Sequence, residues 1–541
     1  MYWSSGQTLL KGAAFVERHS QLFGCYVTNF SCGPYSFLVG YFSRIMGRKP
    51  FLILELDSHV ADAGLETRIE AFMDIVRNYR ELSRREGKTV RSHRREAKAA
   101  YFDHAAQQVI DSRGRAHPLT HPRVHVVFPS MGHFLLREAA ALFRSLGIRA
   151  TALPPAGEEV LKLGRGNTSG KECLPLLLTT GALLKYLKER EDPEELLVYF
   201  MPTTSGPCRL GQYSPFIHQL ITDSGIENVA PLSLNAENGY RGAFDMRFIL
   251  RIWICMMIAD AMQSIYPILL VNAVEPEAAL DIYEREKERI LATIERAPRF
   301  ADLQKTLALA ARNLEAIPQR RTLADTPTVL LTGEIFVRHD DLSRQFLVEK
   351  LAEHDVATKV AGIGEWVYYT DWCFQNCMTS RIPTLGQELS LRFRLAWMRH
   401  YERMIKGTLS RSGLMQPVME DVGHLIRMAR PLINPRLTGE AILTVGAAIA
   451  EVPEPYCGAI AIGPFGCMPN RISEALLTRE MSRGWRAHSG KKGEDIEDIE
   501  ELPFLAIESD GNPFPQIITA KIEVFLMQAL RLHERRMKHR T

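Results

Sequence analysis

Four cysteines of this 541-residue chain share one local grammar. Cys32 in GCYVTNFSCGPYSFLVGYF, Cys208 in LLVYFMPTTSGPCRLGQYSPF and Cys467 in GAIAIGPFGCMPNRISEALL each follow an extended run and precede a helix-like stretch. Cys173, in GRGNTSGKECLPLLLTTGALLKYL, stands at the entrance of an apolar helix, and glycine or proline flanks all four. In an open α/β sheet the loops at the carboxyl ends of the strands converge on one crevice, so residues far apart in sequence meet there. Backbone N–H groups at a helix N-terminus favour thiolate over thiol. The pattern therefore points to thiolate ligation of a metal centre. Iron-sulfur chemistry suits it better than structural zinc, because zinc sites usually offer close Cys-x2-4-Cys pairs and none of these four is so paired. A single such cysteine would read as a small buried hydrophobe; the shared context argues for ligation.

The remaining chemistry-bearing residues give weaker signals. Cys373 and Cys377 in DWCFQNC are four apart, a spacing that places both on one helix face as core or peripheral thiols. Cys255 falls in an apolar helix, and Cys25 and Cys457 precede strands leading to candidate ligands. GRGNTSGKE (164–172) imitates a phosphate loop but has Arg165 where the first glycine belongs and Glu172 where Ser or Thr would bind magnesium. Lys171 and Arg209, each beside a cysteine, read either as cations near an anionic cluster or as solvated side chains. Asp57, His59, Asp62, Glu508 and Asp510 fall at strand ends, where they serve proton transfer or, the favoured reading, turn chemistry. No Ser/His/Asp nucleophile elbow or H-E-x-x-H occurs.

The elements that must position the cysteines repeat along the chain. PFLILELD (50–57) matches PFLAIESD (503–510), RIEAF (68–72) matches KIEVF (521–525) at the same distance downstream, and a cysteine loop precedes each. A second pair, 124–153 and 328–360, reads strand, loop, amphipathic helix, strand, the pattern of parallel sheets with right-handed crossovers. The expected fold is α/β: several Rossmann-like parallel-sheet domains with long helical connections, internally duplicated. Residues 1–120 read as the C-terminal part of a truncated first cysteine module. Residues 121–325 read as a Rossmann-like domain with Cys173 and Cys208, closing in one or two long helices over 275–321, and residues 326–541 as another with Cys467.

Bulk properties exclude little but direct the reading. At about 150 residues per domain the length suggests three or four units. A net charge of +3 names no partner, and the basic run from Arg84 to Lys98, interrupted by Glu86 and Glu96, reads as a solvated helix face, so no nucleic acid is expected. No basic segment with a long apolar core opens the chain, and Phe244–Ala273 is interrupted by Arg247, Arg251, Asp260 and Gln263. A buried helix, no membrane span and a cytoplasmic location are expected. Nine cysteines, an odd number, indicate reduced thiols.

Five motifs together, NFSCGPYSF with ELDSHVADAG, GNTSGKECLP, FMPTTSGPCRLGQY and GPFGCMP, resemble the C-terminal region of acyl-CoA dehydratase activase-related proteins, also called CoA-substrate-specific enzyme activases. These belong with 2-hydroxyacyl-CoA dehydratase subunits, benzoyl-CoA reductase subunits and double-cubane cluster proteins, and the resemblance spans nearly the whole chain. It implies three cysteine ligands per module, each from a separate Rossmann-like domain. Cys173, Cys208 and Cys467 would form one complete set, and Cys32 would be the last ligand of an earlier module. The implied cofactor is an iron-sulfur cluster, 4Fe-4S or double-cubane type, working in electron transfer in anaerobic metabolism. The implied partners are an ATP-dependent activator protein and a subunit carrying the missing first half-module, with a CoA thioester or other small molecule as acceptor in a reductase or dehydratase component. The family's actin-like phosphate loop is absent, so the chain is not expected to hydrolyse ATP itself. A non-catalytic scaffold or docking subunit of an activase complex is the competing expectation, and a zinc-stabilised structural protein a third.

Overall fold

Short apolar runs ending in glycine, proline or acids form the strands, and the amphipathic stretches between them cover the sheet faces. The computed structural model describes residues 3–29, 33–56, 62–86, 99–132, 134–204, 208–233, 246–296, 299–378, 384–452, 455–482 and 502–540. Strands β1 (Gly24–Thr28) and β2 (Phe51–Glu55) pair in parallel. Strands β3 (Tyr101–Asp103), β4 (Gln108–Ile110) and β5 (Ala116–Pro118) make a small antiparallel meander. Strands β6 (Val124–Phe128), β7 (Ala150–Ala152), β8 (Leu196–Phe200) and β9 (Val229–Leu232) form a parallel sheet in the order β7-β6-β8-β9. Strands β10 (Thr328–Gly333), β11 (Ala357–Val360), β12 (Ala459–Pro464) and β13 (Phe504–Ser509) form another, in the matching order β11-β10-β12-β13. The fold is α/β with Rossmann-like parallel sheets.

Both sequence repeats are structural repeats. β6 runs parallel to β7 as β10 does to β11. The register of β1 on β2, Gly24↔Phe51 to Thr28↔Glu55, recurs as Ala459↔Phe504 to Gly463↔Glu508. The flanking helices recur too: Ser4–Arg18, Gly33–Met46 and Asp62–Glu86 in the first copy, Ala441–Glu451, Met468–Ser482 and Gln516–Arg540 in the second.

In each four-stranded sheet the first strand in sequence lies inside, so the direction of winding reverses between β6 and β8 and between β10 and β12. At such a switch point adjacent loops diverge to opposite faces and leave a crevice at the carboxyl ends of the strands. The two crevices meet. Gly132, just past β6, sits so close to the loop after β10 that a methyl group there would lie 2.1 Å from the His339 carbonyl oxygen. Across the same seam Arg165, in the helix Glu158–Gly166, donates to Asp510 O (2.8 Å) just past β13.

The joining helices follow the expected pattern, Pro276–Glu295 and Phe300–Glu315. Met246–Asn272 is long and apolar enough to cross a membrane by length and composition, yet 78% of its most apolar window is buried inside the protein. It shares one hydrophobic core with both four-stranded sheets. A second core joins β1, the helices Ser4–Arg18 and Gly33–Met46, the helix Leu174–Glu189 and β8. The first copy is thus packed onto the element that Cys173 opens.

Candidate metal centre

Cys173 is the N-cap residue of the helix Leu174–Glu189, with Pro175 in its first turn. Proline there loses no hydrogen bond, because first-turn N–H groups have no helical partner. The helix is held inward by Leu174, Leu176, Leu177, Leu178 and Leu183, all buried, each stabilising by about 1.5–3 kcal/mol. Cys467 follows β12 and precedes the helix Met468–Ser482, again with a proline, Pro469, in the first turn. Cys208 caps a 3-10 turn, Arg209–Gln212, that runs on into the helix Tyr213–Asp223. The N–H groups of Leu176, Leu210 and Asn470, in these first turns, favour the thiolate forms of Cys173, Cys208 and Cys467 respectively.

One side chain joins the three loops. The Arg209 guanidinium, 9% exposed, donates to Lys171 O (3.4 Å), Phe465 O (3.2 Å) and Gly466 O (3.1 Å). The residue after Cys208 therefore grips the backbone just before Cys173 and just before Cys467. Tyr213, also buried, places its hydroxyl 2.6 Å from Cys173 Sγ. Cys32 lies outside the described residues. Its neighbour Gly33 opens a helix close by: a methyl group at position 33 would lie 3.8 Å from Arg209 Nε and from Gly466 O.

The electrostatics are set by burial. It pushes the Cys173 thiol up against the opposing pull of Arg209 and the Tyr213 hydroxyl. Burial and then Glu440 raise Cys208; burial and then Glu334 raise Cys467. Burial also works against the charge of Arg209, but Cys173, Tyr213, Cys467 and Cys208 outweigh it and keep the guanidinium protonated. Two carboxyls complete the surroundings. Glu334, the first residue past β10, accepts from Val337 N (2.9 Å), and Glu440 accepts from Ile335 N (3.2 Å). Burial raises Glu334, while burial and Glu334 push Glu440 up to about 8.

Glu334, Glu440 and Tyr213 were not singled out from sequence. For Glu334 a signal existed: it is the first residue beyond a strand at a switch point, where ligand-facing groups concentrate. Tyr213 stands in the quoted Cys208 motif. Glu440 merely precedes the buried helix Ala441–Glu451 and carries no local mark.

The other sequence candidates separate clearly. Glu172 accepts the N–H groups of Ser169 (3.1 Å) and Lys171 (3.1 Å) and the Ser169 hydroxyl (2.9 Å), so the loop's donors are taken by its own carboxylate. Lys171 pairs with Glu55 of the first copy at 2.7 Å, so it is not simply a solvated lysine. Arg209 is the buried alternative. Glu508 pairs with Arg471 (2.7 Å) and accepts the Gly466 N–H (3.1 Å), whereas Asp510 accepts Asn512 N–H in a turn, as expected. Asp57 and His59 lie outside the described residues, as does the side chain of Asp62. The expectation that Cys373 and Cys377 share a helix face fails. The helix Gly364–Gln375 ends first, leaving Cys373 buried and Cys377 exposed beyond it in a left-handed conformation (φ 54). Cys255 is core; Cys25 lies within β1 and is exposed; Cys457 is buried, with its thiol on Thr328 O. Arg84 is exposed, and the side chains of the basic run beyond it lie outside the described residues.

Among the described residues no three His, Cys, Asp or Glu side chains are drawn tightly enough to share a single metal ion. No protein-family model matches this chain, and no curated protein matches it significantly.

Proposed function

We propose that the chain is an iron-sulfur protein of the 2-hydroxyacyl-CoA dehydratase-like superfamily, with Cys173, Cys208 and Cys467 as one ligand set. The observation that carries this reading is the convergence of three helix-entry cysteine loops on one buried guanidinium, at the meeting of two switch-point crevices. The donor set fits such a group. Thiolates bound to different irons of a cluster stand apart from one another, and first-turn N–H groups with a buried cation offset their charge. The nearby carboxyls are no objection: burial raises both Glu334 and Glu440, which favours their neutral forms. Bound there, the cluster supplies one-electron transfer at low potential.

The chain's own residues fix the rest. Arg209 holds the loops in register, Tyr213 donates to the Cys173 sulfur, and burial excludes water; these are the levers that set a potential. In this proposal the electron comes from an ATP-dependent activator and passes to a CoA thioester or another small acceptor. Cys32 belongs to the first copy and supplies a ligand outside the three-thiol set.

Anaerobic purification with iron and sulfide analysis tests the reading. Serine in place of Cys173, Cys208 or Cys467 should each abolish most cluster absorbance, while Cys32→Ser should leave that set occupied. A colourless, iron-free protein after careful reconstitution would overturn the proposal. Equal loss in Cys32→Ser would show a four-cysteine site instead. A triple variant with unchanged spectrum and partner function would identify a scaffold or docking subunit.

A further inference from the structure

Near the amino ends of the first four-stranded sheet, away from the cysteine crevice, a line of hydrogen bonds runs from a buried carboxylate to an exposed hydroxyl. His125 is the second residue of β6, Glu195 directly precedes β8, and Thr151 is the middle residue of the edge strand β7. His125 Nδ1 lies 2.8 Å from Glu195 Oε1 and 2.9 Å from the Tyr186 hydroxyl, and Nε2 lies 2.9 Å from Thr151 Oγ1. Tyr186 donates to Glu195 Oε2 (2.9 Å), and Arg149 pairs with Oε1 (3.1 Å). Burial alone would raise Glu195, but His125, Tyr186 and Arg149 hold it below the usual carboxylate range. A carboxylate against Nδ1 places the proton of the neutral imidazole there and leaves Nε2 as acceptor for the Thr151 hydroxyl. His125 and Glu195 are buried, whereas Thr151 is exposed.

The fold itself does not require this network. With Ala150 and Ala357 matched as the first residues of β7 and β11, the registers Val126↔Ala150 and Thr328↔Ala357 make Thr358 the counterpart of Thr151 and Pro327 that of His125. There the threonine hydroxyl is buried and has no hydrogen-bond partner among the described residues. Thr151 instead lines a cavity of about 290 Å³ with Ala152, Arg144 and Leu291. The bonds from Val126 N to Arg149 O and from Leu153 N to Phe128 O turn alternate residues of β7 toward β6, so the Ala152 N–H points outward from the sheet edge. We propose that Thr151 is the nucleophile, His125 the general base and Glu195 the positioning residue of a second site, which hydrolyses short-chain carboxylic esters, with the Ala152 N–H receiving the carbonyl oxygen. The order carboxylate, imidazole, hydroxyl is that of hydrolytic triads, and the N–H of the residue after the nucleophile is a recurrent oxyanion donor. The Thr151 oxygen bonds to the ester carbonyl carbon while its proton passes to His125 Nε2. Collapse breaks the bond to the alcohol, which leaves with that proton; water then repeats the steps, freeing the acid and restoring Thr151. The cysteines take no part, so the site works whatever they bind.

The test uses the full chain with p-nitrophenyl acetate as substrate and an alkyl fluorophosphonate as covalent probe. Saturable release of nitrophenolate is expected, with the probe found on Thr151 by peptide mass analysis. Thr151→Ala, at an exposed position, should lose about a hundredfold or more in kcat at an unchanged melting temperature and take up no probe, while Thr151→Ser should keep the activity. Glu195→Gln should lower kcat by a similar factor at unchanged KM, since it turns the imidazole without touching the substrate. Hydrolysis no faster than by the same concentration of free imidazole, a Thr151→Ala variant as active as the wild type, or probe on another residue would overturn the proposal.

Discussion

Replacing Arg209 by glutamine probes the centre most directly. The guanidinium makes two sound bonds, at 3.2 and 3.1 Å, to Phe465 O and Gly466 O, and a weaker one at 3.4 Å to Lys171 O. Counting only the two sound bonds, at the lower end of the range for charged donors, the loss is about 3 kcal/mol. That corresponds to a roughly hundredfold rise in opening of the Cys467 loop. The cost should be local, because the helices on either side keep their cores. Chelator challenge of the anaerobically reconstituted protein reads the opening directly: iron should leave the variant about a hundredfold faster. Removing a buried positive charge should also shift the cluster's midpoint potential to more negative values, as followed by dye-equilibrated titration. Arg209→Lys keeps the charge but cannot bridge two carbonyls as a fork, so it should preserve most of the potential while losing iron at an intermediate rate. Wild-type iron retention and an unchanged potential in Arg209→Gln would refute the idea that this side chain organises the site.

Tyr213→Phe removes the hydroxyl from Cys173 Sγ and should lower the midpoint potential by about 40 mV, one net hydrogen bond's worth for a one-electron couple. Potentiometry decides it, and an unchanged value would show the contact to be structural only. In the meander, burial alone would raise Asp111, but the Arg115 and Arg113 N–H groups and the His117 and Arg115 side chains hold its carboxyl well below the usual range. A depressed folded pKa gives stability that is fully present above the unfolded value of about 3.9 and lost as pH falls below it. Asp111→Asn should therefore cost about 1–3 kcal/mol at pH 7 and progressively less as pH falls from about 4, with part of the difference remaining near pH 2 because the folded carboxyl is still ionised there, by thermal unfolding at the two pH values. Glu138 is the opposite case: fully buried, neither carboxyl oxygen finds a hydrogen-bond partner among the described residues, and burial and then Asp260 raise it well above the usual range. The folded state keeps a proton that the unfolded chain releases above about pH 4.3, so stability falls as pH rises past that point. Glu138→Gln should flatten that decline between pH 5 and 8.

How much was legible beforehand follows from what each element depends on. Strands such as β2, β8, β12 and β13 were readable because each is largely an apolar run followed by acids or a nearby glycine or proline, and the helix entries because Pro175 and Pro469 mark first turns locally. The meander escaped notice: its strands are three residues long, and His117 and Pro118 break any period. Cys373 and Cys377 misled because spacing indicates a shared face only while the helix continues, and this one stops at Gln375. Lys171 and Arg209 looked alike in sequence, each next to a cysteine. Their fates diverge through partners more than a hundred residues away, Glu55 for one and the Phe465 and Gly466 carbonyls for the other.

The two copies carry this point further. Their strands share one register and one order of flanking helices, so the repeated sequence determines local structure in both. Burial is not repeated: Val27 and Ile462 occupy the same place on equivalent strands, one exposed and one enclosed. The difference lies in what stands alongside, and β10, which encloses the second copy, also delivers Glu334 to the cysteine crevice. Covering the strand and furnishing the site are therefore done by the same element.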